Sequence, residues 1–201
     1  MMKKLVVMPA SPALAVELAP GDAASRELLD SLCKILQSAV TKHTTGIDIV
    51  ASRNSRWHTV HTGSLRAWGA PHVQLGAGNY LPEIMAHYAL RAAGLEHLPV
   101  HESREHMGTL DDASLTILVI DGSAGLTPRA PLALLDDGPA ADEWCQKLLK
   151  GEMPQPFPLQ DAGVVEPELW LELAEIQPQS VRLVAADSSL GVGRYIAEWE
   201  V

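Results

Sequence analysis

The most strand-like stretch of the sequence is Leu115-Thr116-Ile117-Leu118-Val119-Ile120. A short, continuous apolar run of this kind, rich in aliphatic residues, is typical of a buried strand. It is followed by Asp121-Gly122-Ser123, which opens a loop containing glycine and proline that extends to Pro139. Because ligands of α/β proteins gather beyond the carboxyl ends of strands, this loop is a favoured place for function. A nucleophilic role for Ser123 would also need an activating base, and none is visible nearby in the sequence.

Strands and helices alternate on both sides of this run. Further strands are predicted at Leu5–Met8, Ile47–Ala51, His72–Leu75, Val181–Ala185 and Tyr195–Trp199, and helices at Ala23–Val40, Leu81–Ala93, Ala140–Lys150 and Glu166–Ile176. The polar, His-rich segment Glu96–Ala113 lacks periodicity and is predicted to be an exposed connection. The pattern predicts a single α/β domain over residues 1–201, with a central mixed, mostly parallel sheet flanked by helices. The last two strands are close enough in sequence to form an antiparallel hairpin.

Composition narrows the classes of partner. The chain has 201 residues, 47% of them apolar, which suits one domain with a substantial core. Fifteen basic and twenty-five acidic residues give a net charge of −10. This balance disfavours nucleic acid and anionic membrane as partners, because both need clustered Lys and Arg. A homodimer is an option only because α/β proteins of this size often pair.

The sequence favours a cytoplasmic protein. Met1–Ala15 has lysines before an apolar run, as a signal peptide does, but Pro9 and Pro12 interrupt that run. No stretch is long and apolar enough to span a bilayer. Cys33 and Cys145 lie far apart, each within a predicted helix, and do not form a zinc or redox spacing. Buried reduced thiols in a reducing compartment are therefore expected.

The eight histidines are the most obvious candidates for metal ligands. His58 and His61 follow the second predicted strand, where they could hold Fe(II) or Zn(II) together with a carboxylate. Loop histidines that face solvent or cap backbone groups are the favoured interpretation, because two histidines alone form a weak metal pattern. A second group, His97, His101 and His106, lies in the polar connection and is better explained as part of a solvated loop.

Four segments, in order along nearly the whole chain, suggest a family. They are Pro9-Ala10-Ser11-Pro12 running on to Glu17, Gly63–Pro71 (GSLRAWGAP), Asp121–Pro131 (DGSAGLTPRAP) and Leu190–Ala197 (LGVGRYIA). They resemble the Pro-His-Pro-Pro, Gly-x-(Phe/Leu)-x-x-Phe-Gly-Ala-Pro, Asp-Leu-Ser-His-Arg-Leu-Thr-x-x-Ala-Pro and Tyr-Gly-Val-Gly-Tyr-Phe-Val-Ala segments of the subunit-B-like proteins of the class III extradiol dioxygenase superfamily. The resemblance implies an α/β fold. In active members it also implies ring cleavage of catechols at an Fe(II) held by two histidines and a glutamate, with a further histidine as acid/base.

The resemblance fails where the chemistry would occur. The first ligand histidine falls on Ala10, the acid/base histidine on Ala124, and the second ligand histidine near Arg53 or Asn54. Alanine neither coordinates a metal nor moves a proton. The sequence therefore predicts a degenerate, metal-free member rather than a working dioxygenase, with no catalytic residue and no cofactor. The alternative is a non-haem Fe(II) or Zn(II) enzyme with a rearranged site built on His58 and His61.

The first hypothesis gives the relict cleft a binding role, with a small molecule or a partner as ligand. The residues expected around it are Ala10, Ser11, Arg53, Asn54, Ser123 and Ala124. Arg53 could meet an anionic ligand, since a guanidinium pairs well with carboxylate or phosphate. A surface ion pair would explain the same arginine equally well.

Overall fold

The computed structural model describes residues 2–201. The strands are β1 (Lys4–Met8), β2 (Gly46–Ala51), β3 (Ser64–Leu65), β4 (Ala70–Gln74), β5 (Val100–Arg104), β6 (Ser114–Val119), β7 (Ser180–Asp187) and β8 (Arg194–Glu200). The helices are α1 (Ala23–Ala39), α2 (Leu81–Ala92), α3 (Gly138–Leu148) and α4 (Pro167–Ala174). Within residues 2–201, six strands form a central sheet in the order β5-β2-β6-β1-β8-β7, and β3 pairs with β4 separately.

The strand β6 organises both faces of this sheet. It pairs in parallel with β1 on one side and β2 on the other, and all of its residues are buried. Leu115 and Ile117 pack into the apolar core formed with α1 and α2. Leu118 and Ile120 pack into a second core, formed with α3 and α4. Because successive side chains of a strand point to opposite faces, one apolar run supports helices on both sides.

The sheet is mixed, as predicted. The strands β5, β2, β6 and β1 run parallel, whereas β8 pairs antiparallel with both β1 and β7. The final two strands thus form the hairpin expected from their short separation. The predicted α/β class and the mostly parallel, helix-flanked sheet are confirmed.

The segment Glu96–Ala113 was misassigned as an exposed connection, because it contains β5 at the edge of the sheet. Val100–Arg104 pairs in parallel with β2. Its sequence, VHESR, shows no apolar alternation because His101 and Glu102 of this edge strand face solvent. Arg104 instead binds the carboxylates of Glu102 (2.7 Å) and the buried Asp48 (3.5 Å). Val100 packs against the core, and ion pairing, which periodicity does not reveal, holds the other end of this strand.

The third predicted strand also differs from expectation. The predicted strand His72–Leu75 overlaps β4 (Ala70–Gln74), but β4 pairs with β3 outside the central sheet. The two short strands are joined across Gly69, whose φ of 105° suits glycine. Pro71, His72 and Gln74 of β4 are exposed, as expected for a small peripheral ribbon.

Two remaining sequence predictions concern the cysteines and segments that could span a membrane. Cys33 and Cys145 are both free, and burial raises the pKa of each thiol. None of the helices formed by residues 2–201 is long and apolar enough to cross a lipid bilayer.

A fully buried guanidinium joins the C-terminal hairpin to the start of α1. Arg194, at 0% exposure, donates through Nε to Asp187 Oδ2 at 3.1 Å and forms an ion pair with the same carboxylate. Its Nη1 donates to Ser25 Oγ and lies 3.7 Å from Asp22 Oδ2. Several acceptors therefore compensate for the desolvation of this one charge.

We expect Arg194→Ala to lower the free energy of unfolding by about 3 kcal/mol or more. The substitution leaves a buried cavity and removes the cation that pairs with Asp187 and Asp22. The matched control is Arg182→Ala on β7, which removes an exposed arginine paired with Glu198 at 2.7 Å. That change should cost less than about 1 kcal/mol. Urea titrations of the two variants measure the difference, and equal losses would contradict the assigned role of Arg194.

Candidate functional site

A cavity of about 570 Å³ opens where β1 and β6 end. These neighbouring parallel strands finish in register, with Met8 opposite Val119, and Ile120 N–H donates to Met8 O at 3.0 Å. The chain therefore leaves both strands at the same edge of the sheet, and the segments that follow, at Ala10 and Asp121, form adjacent parts of the wall. The carboxyl ends of parallel strands are the usual ligand site of α/β proteins.

The wall of the cavity is mostly apolar and includes two indole rings. Apolar side chains on it include Pro12, Leu81, Val119, Leu132, Leu190 and Val192. Trp57 and Trp68 also line it, and both are half-buried. Trp57 Nε1 donates to Glu166 Oε1 at 3.0 Å, so a carboxylate fixes the orientation of this indole. A volume of this size and this balance of surface are typical of small-molecule sites.

Asp121 brings a titratable group into these surroundings. Ala10 N–H donates to its Oδ1 at 3.0 Å, and Trp170 Nε1 donates to its main-chain carbonyl at 2.8 Å. Burial raises the pKa of Asp121 from 3.8 to about 7, while the N–H groups of Ala10 and Ser11 and the charge of Arg194 act in the opposite direction. Both protonation states are therefore populated near neutral pH.

The backbone at Asp121 is supported from behind by a buried phenol. A side chain at Gly122 or Gly193 would collide with the hydroxyl of Tyr195, so glycine at both positions lets the chain pass close to the ring. Tyr195 donates to Asp142 Oδ1, and burial raises the pKa of the phenol. A neutral, hydrogen-bonded tyrosine thus underlies the segment that carries Asp121.

The predicted cleft residues fall into three groups. Ala10, Ser11 and Ala124 line the cavity together. Ser123 does not: it is fully buried, and its Oγ donates to Ala162 O at 2.7 Å. The turn after β6 points Ser123 into the protein and Ala124 into the cavity, since adjacent residues face opposite ways.

The third group, Arg53 and Asn54, lines a neighbouring cleft of about 320 Å³. Ser52 and Glu166 belong to the walls of both spaces. Arg53 donates to Ser103 O, and Asn54 Oδ1 accepts from Arg56 N–H at 3.1 Å. The arginine proposed to meet an anion is therefore bound to the main chain of β5, beside the cavity rather than within it.

The histidines are dispersed among local contacts. The ring of His58 packs edge-on against Tyr80, with 5.4 Å between centroids, and His61 is exposed. His101 contacts Ser114 Oγ at 3.2 Å, and His106 contacts Glu172 Oε1 at 2.7 Å. Across residues 2–201 there is no group of three or more His, Cys, Asp or Glu side chains arranged to hold a metal.

The donors on the cavity wall do not fit the iron that the resemblance implies. A site for non-haem Fe(II) needs two imidazoles and a carboxylate converging on one point. In the part of the chain that the structure describes, the wall carries the carboxylates of Asp121 and Glu166 but no imidazole. The methyl groups of Ala10 and Ala124 occupy positions where the resemblance places histidines.

Sequence reasoning missed several residues of this site. Asp121 was visible as the first residue after the strongest strand, yet only the structure shows its burial. Arg56 and Trp57 lie next to the predicted Asn54 and could have been included with it. Glu166 could not have been found, since it meets Trp57 from 109 positions away in the sequence.

Comparison with models of known protein families finds none that matches this chain. A search of curated proteins likewise finds no matching relative. The resemblance to extradiol dioxygenases rests on the four sequence segments and stays a prediction.

We expect Asp121→Asn to change how stability depends on pH. The raised pKa means that folded Asp121 keeps a proton that the unfolded chain releases above pH 4, so wild-type stability falls from about pH 4 to pH 7 and levels off once folded Asp121 is also ionised. Asparagine lacks this dependence and still accepts from Ala10 N–H. The variant should gain roughly 2–4 kcal/mol relative to wild type between pH 4 and pH 8. Urea titrations across this range give the result, and a constant difference would contradict the assignment.

Proposed function

We propose that the protein is a non-catalytic relative of the class III extradiol dioxygenases that binds a small, largely apolar molecule in the cavity at the ends of β1 and β6. The observation that carries the proposal is the cavity itself, of about 570 Å³, whose mostly apolar wall carries a few polar groups, among them Asp121 and Glu166. Sites that bind drug-sized molecules have this volume and composition.

Two exposed leucines on the cavity wall support an apolar ligand. Leu132 and Leu190 line the cavity and are also 46% and 42% exposed. Exposed leucines at the rim of an apolar cavity place hydrophobic surface where an entering molecule would cover it. Removing this surface from water would contribute about 25 cal/mol for each Å² buried.

The alanines support a binding role over a catalytic one. Ala10 and Ala124 line the same cavity, which is consistent with the proposed relationship. Their methyl groups supply apolar contact and no acid, base or metal ligand. We further propose a cytoplasmic location, since Cys33 and Cys145 are free thiols.

We expect the neutral dye N-phenyl-1-naphthylamine to bind the wild-type protein with increased fluorescence. Ala10→Phe, which adds a ring to the cavity wall, should weaken this binding at least about tenfold, because the dye and the ring compete for one space. The control is Ala140→Phe at an exposed position of α3, which should leave binding unchanged. Ala124→Leu is a second blocking variant, and near-ultraviolet circular dichroism checks that each variant is folded. Wild-type protein that fails to bind, or undiminished binding in both blocked variants, would refute the proposal.

We also expect no oxygen uptake with catechol or protocatechuate after loading with Fe(II), beyond that of Fe(II) in buffer. The cavity wall lacks the imidazoles that hold iron and move the phenolic proton. An oxygen electrode and the absorbance of a yellow ring-opened product provide the measurement. Uptake that disappears in a His58→Ala, His61→Ala double variant would instead establish the metal-enzyme alternative.

A further inference from the structure

The cavity wall carries two partly buried carboxylates and one exposed guanidinium. Among residues 2–201, the charged side chains that line it are Arg56, Asp121 and Glu166. Arg56 is exposed, and its Nε donates to Asn54 Oδ1 at 3.3 Å. The two carboxylates are partly buried, so they interact with a bound molecule through less water than Arg56 does.

The aromatic residues on the wall strengthen the preference for a positively charged ligand that the two carboxylates create. Trp57 and Trp68 line the same space, and indole is the side chain with the most favourable face for a cation. The bond from Trp57 Nε1 to Glu166 Oε1, at 3.0 Å, places a carboxylate at the edge of one indole. Negative charge at that edge makes the ring face more attractive to a positive group.

We infer that the cavity selects a cationic amine carried on an apolar body, with Asp121 as the counter-ion and Trp57 and Trp68 as the aromatic walls. This inference rests on the proposed binding function and names its ligand class. An anion would face two carboxylates and only one exposed arginine. A neutral polar group would gain neither the ion pair nor the cation–π contact. The net charge of −10 would also draw cations towards the protein surface.

The groups that act on Asp121 come from several directions. Ala10 and Ser11 donate backbone N–H groups from the loop after β1, and Arg194 on β8 contributes a positive charge. Tyr195 lies behind it on β8, and Arg56 and Glu166 share its cavity. The pKa of Asp121, about 7, places its charge change within the range where binding is measured. An ammonium group beside it would favour the ionised form, so amine binding should weaken as the pH falls.

The inference is tested with three probes of similar size: phenethylamine, 2-phenylethanol and phenylacetate. Isothermal titration at pH 8 should show the amine binding at least about tenfold more tightly than the alcohol, and phenylacetate binding more weakly than both. At pH 5.5 the preference for the amine should shrink to less than about threefold. Asp121→Asn should remove the preference for the amine at pH 8.

The control for net charge is Glu168→Gln, which removes one negative charge from an exposed residue that lies outside the cavity wall. It should retain the preference for the amine. Equal binding of amine and alcohol, preference for phenylacetate, or the same loss in Glu168→Gln as in Asp121→Asn would overturn the inference. Failure of the proposed function is distinguishable, because the neutral dye would then not bind, whereas dye binding without amine preference overturns only the ligand class.

Discussion

The pairing of β1 with β6 is the constraint on which the rest of the structure depends. Both strands are buried on both faces, so their main-chain groups must pair with neighbouring strands and their side chains must meet helices on each side. Because they run parallel and finish at Met8 and Val119, the chain leaves both at the same edge. The hydrogen bond from Ala10 N–H to Asp121 Oδ1 continues their contact beyond the sheet and fixes one wall of the cavity.

The same arrangement of strands also buries the charged groups near Asp121. The hairpin of β7 and β8 covers the other side of β1 and brings Arg194 and Tyr195 towards the segment that carries Asp121. Arg194 is neutralised by Asp187, and the phenol of Tyr195 is bound to Asp142. Asp121 is thus stabilised as an anion mainly by backbone N–H groups and a nearby charge, which is why desolvation dominates its pKa.

Periodicity and burial explain which features could be predicted from the sequence. The run Leu115–Ile120 and the helix beginning at Ala23 were identified because their apolar spacing follows directly from packing against a core. The edge strand β5 was missed because ion pairs stabilise it. Ala10 and Ala124, predicted from the order of short segments, both line the cavity. Ser123 was misplaced because a turn reverses side-chain direction within one residue, which spacing does not encode.

The proposed loss of two histidines would help to explain the raised pKa of Asp121. On the proposed relationship, two imidazoles have been replaced by the methyl groups of Ala10 and Ala124 on the wall that Asp121 shares. Imidazoles and a bound cation would solvate and pair with a carboxylate, lowering the free energy of its charged form. Methyl groups do neither, so a carboxyl left among them becomes harder to ionise. On that relationship, loss of the metal leaves Asp121 compensated only by backbone N–H groups and the charge of Arg194, and a positively charged guest is the simplest species that would complete the compensation.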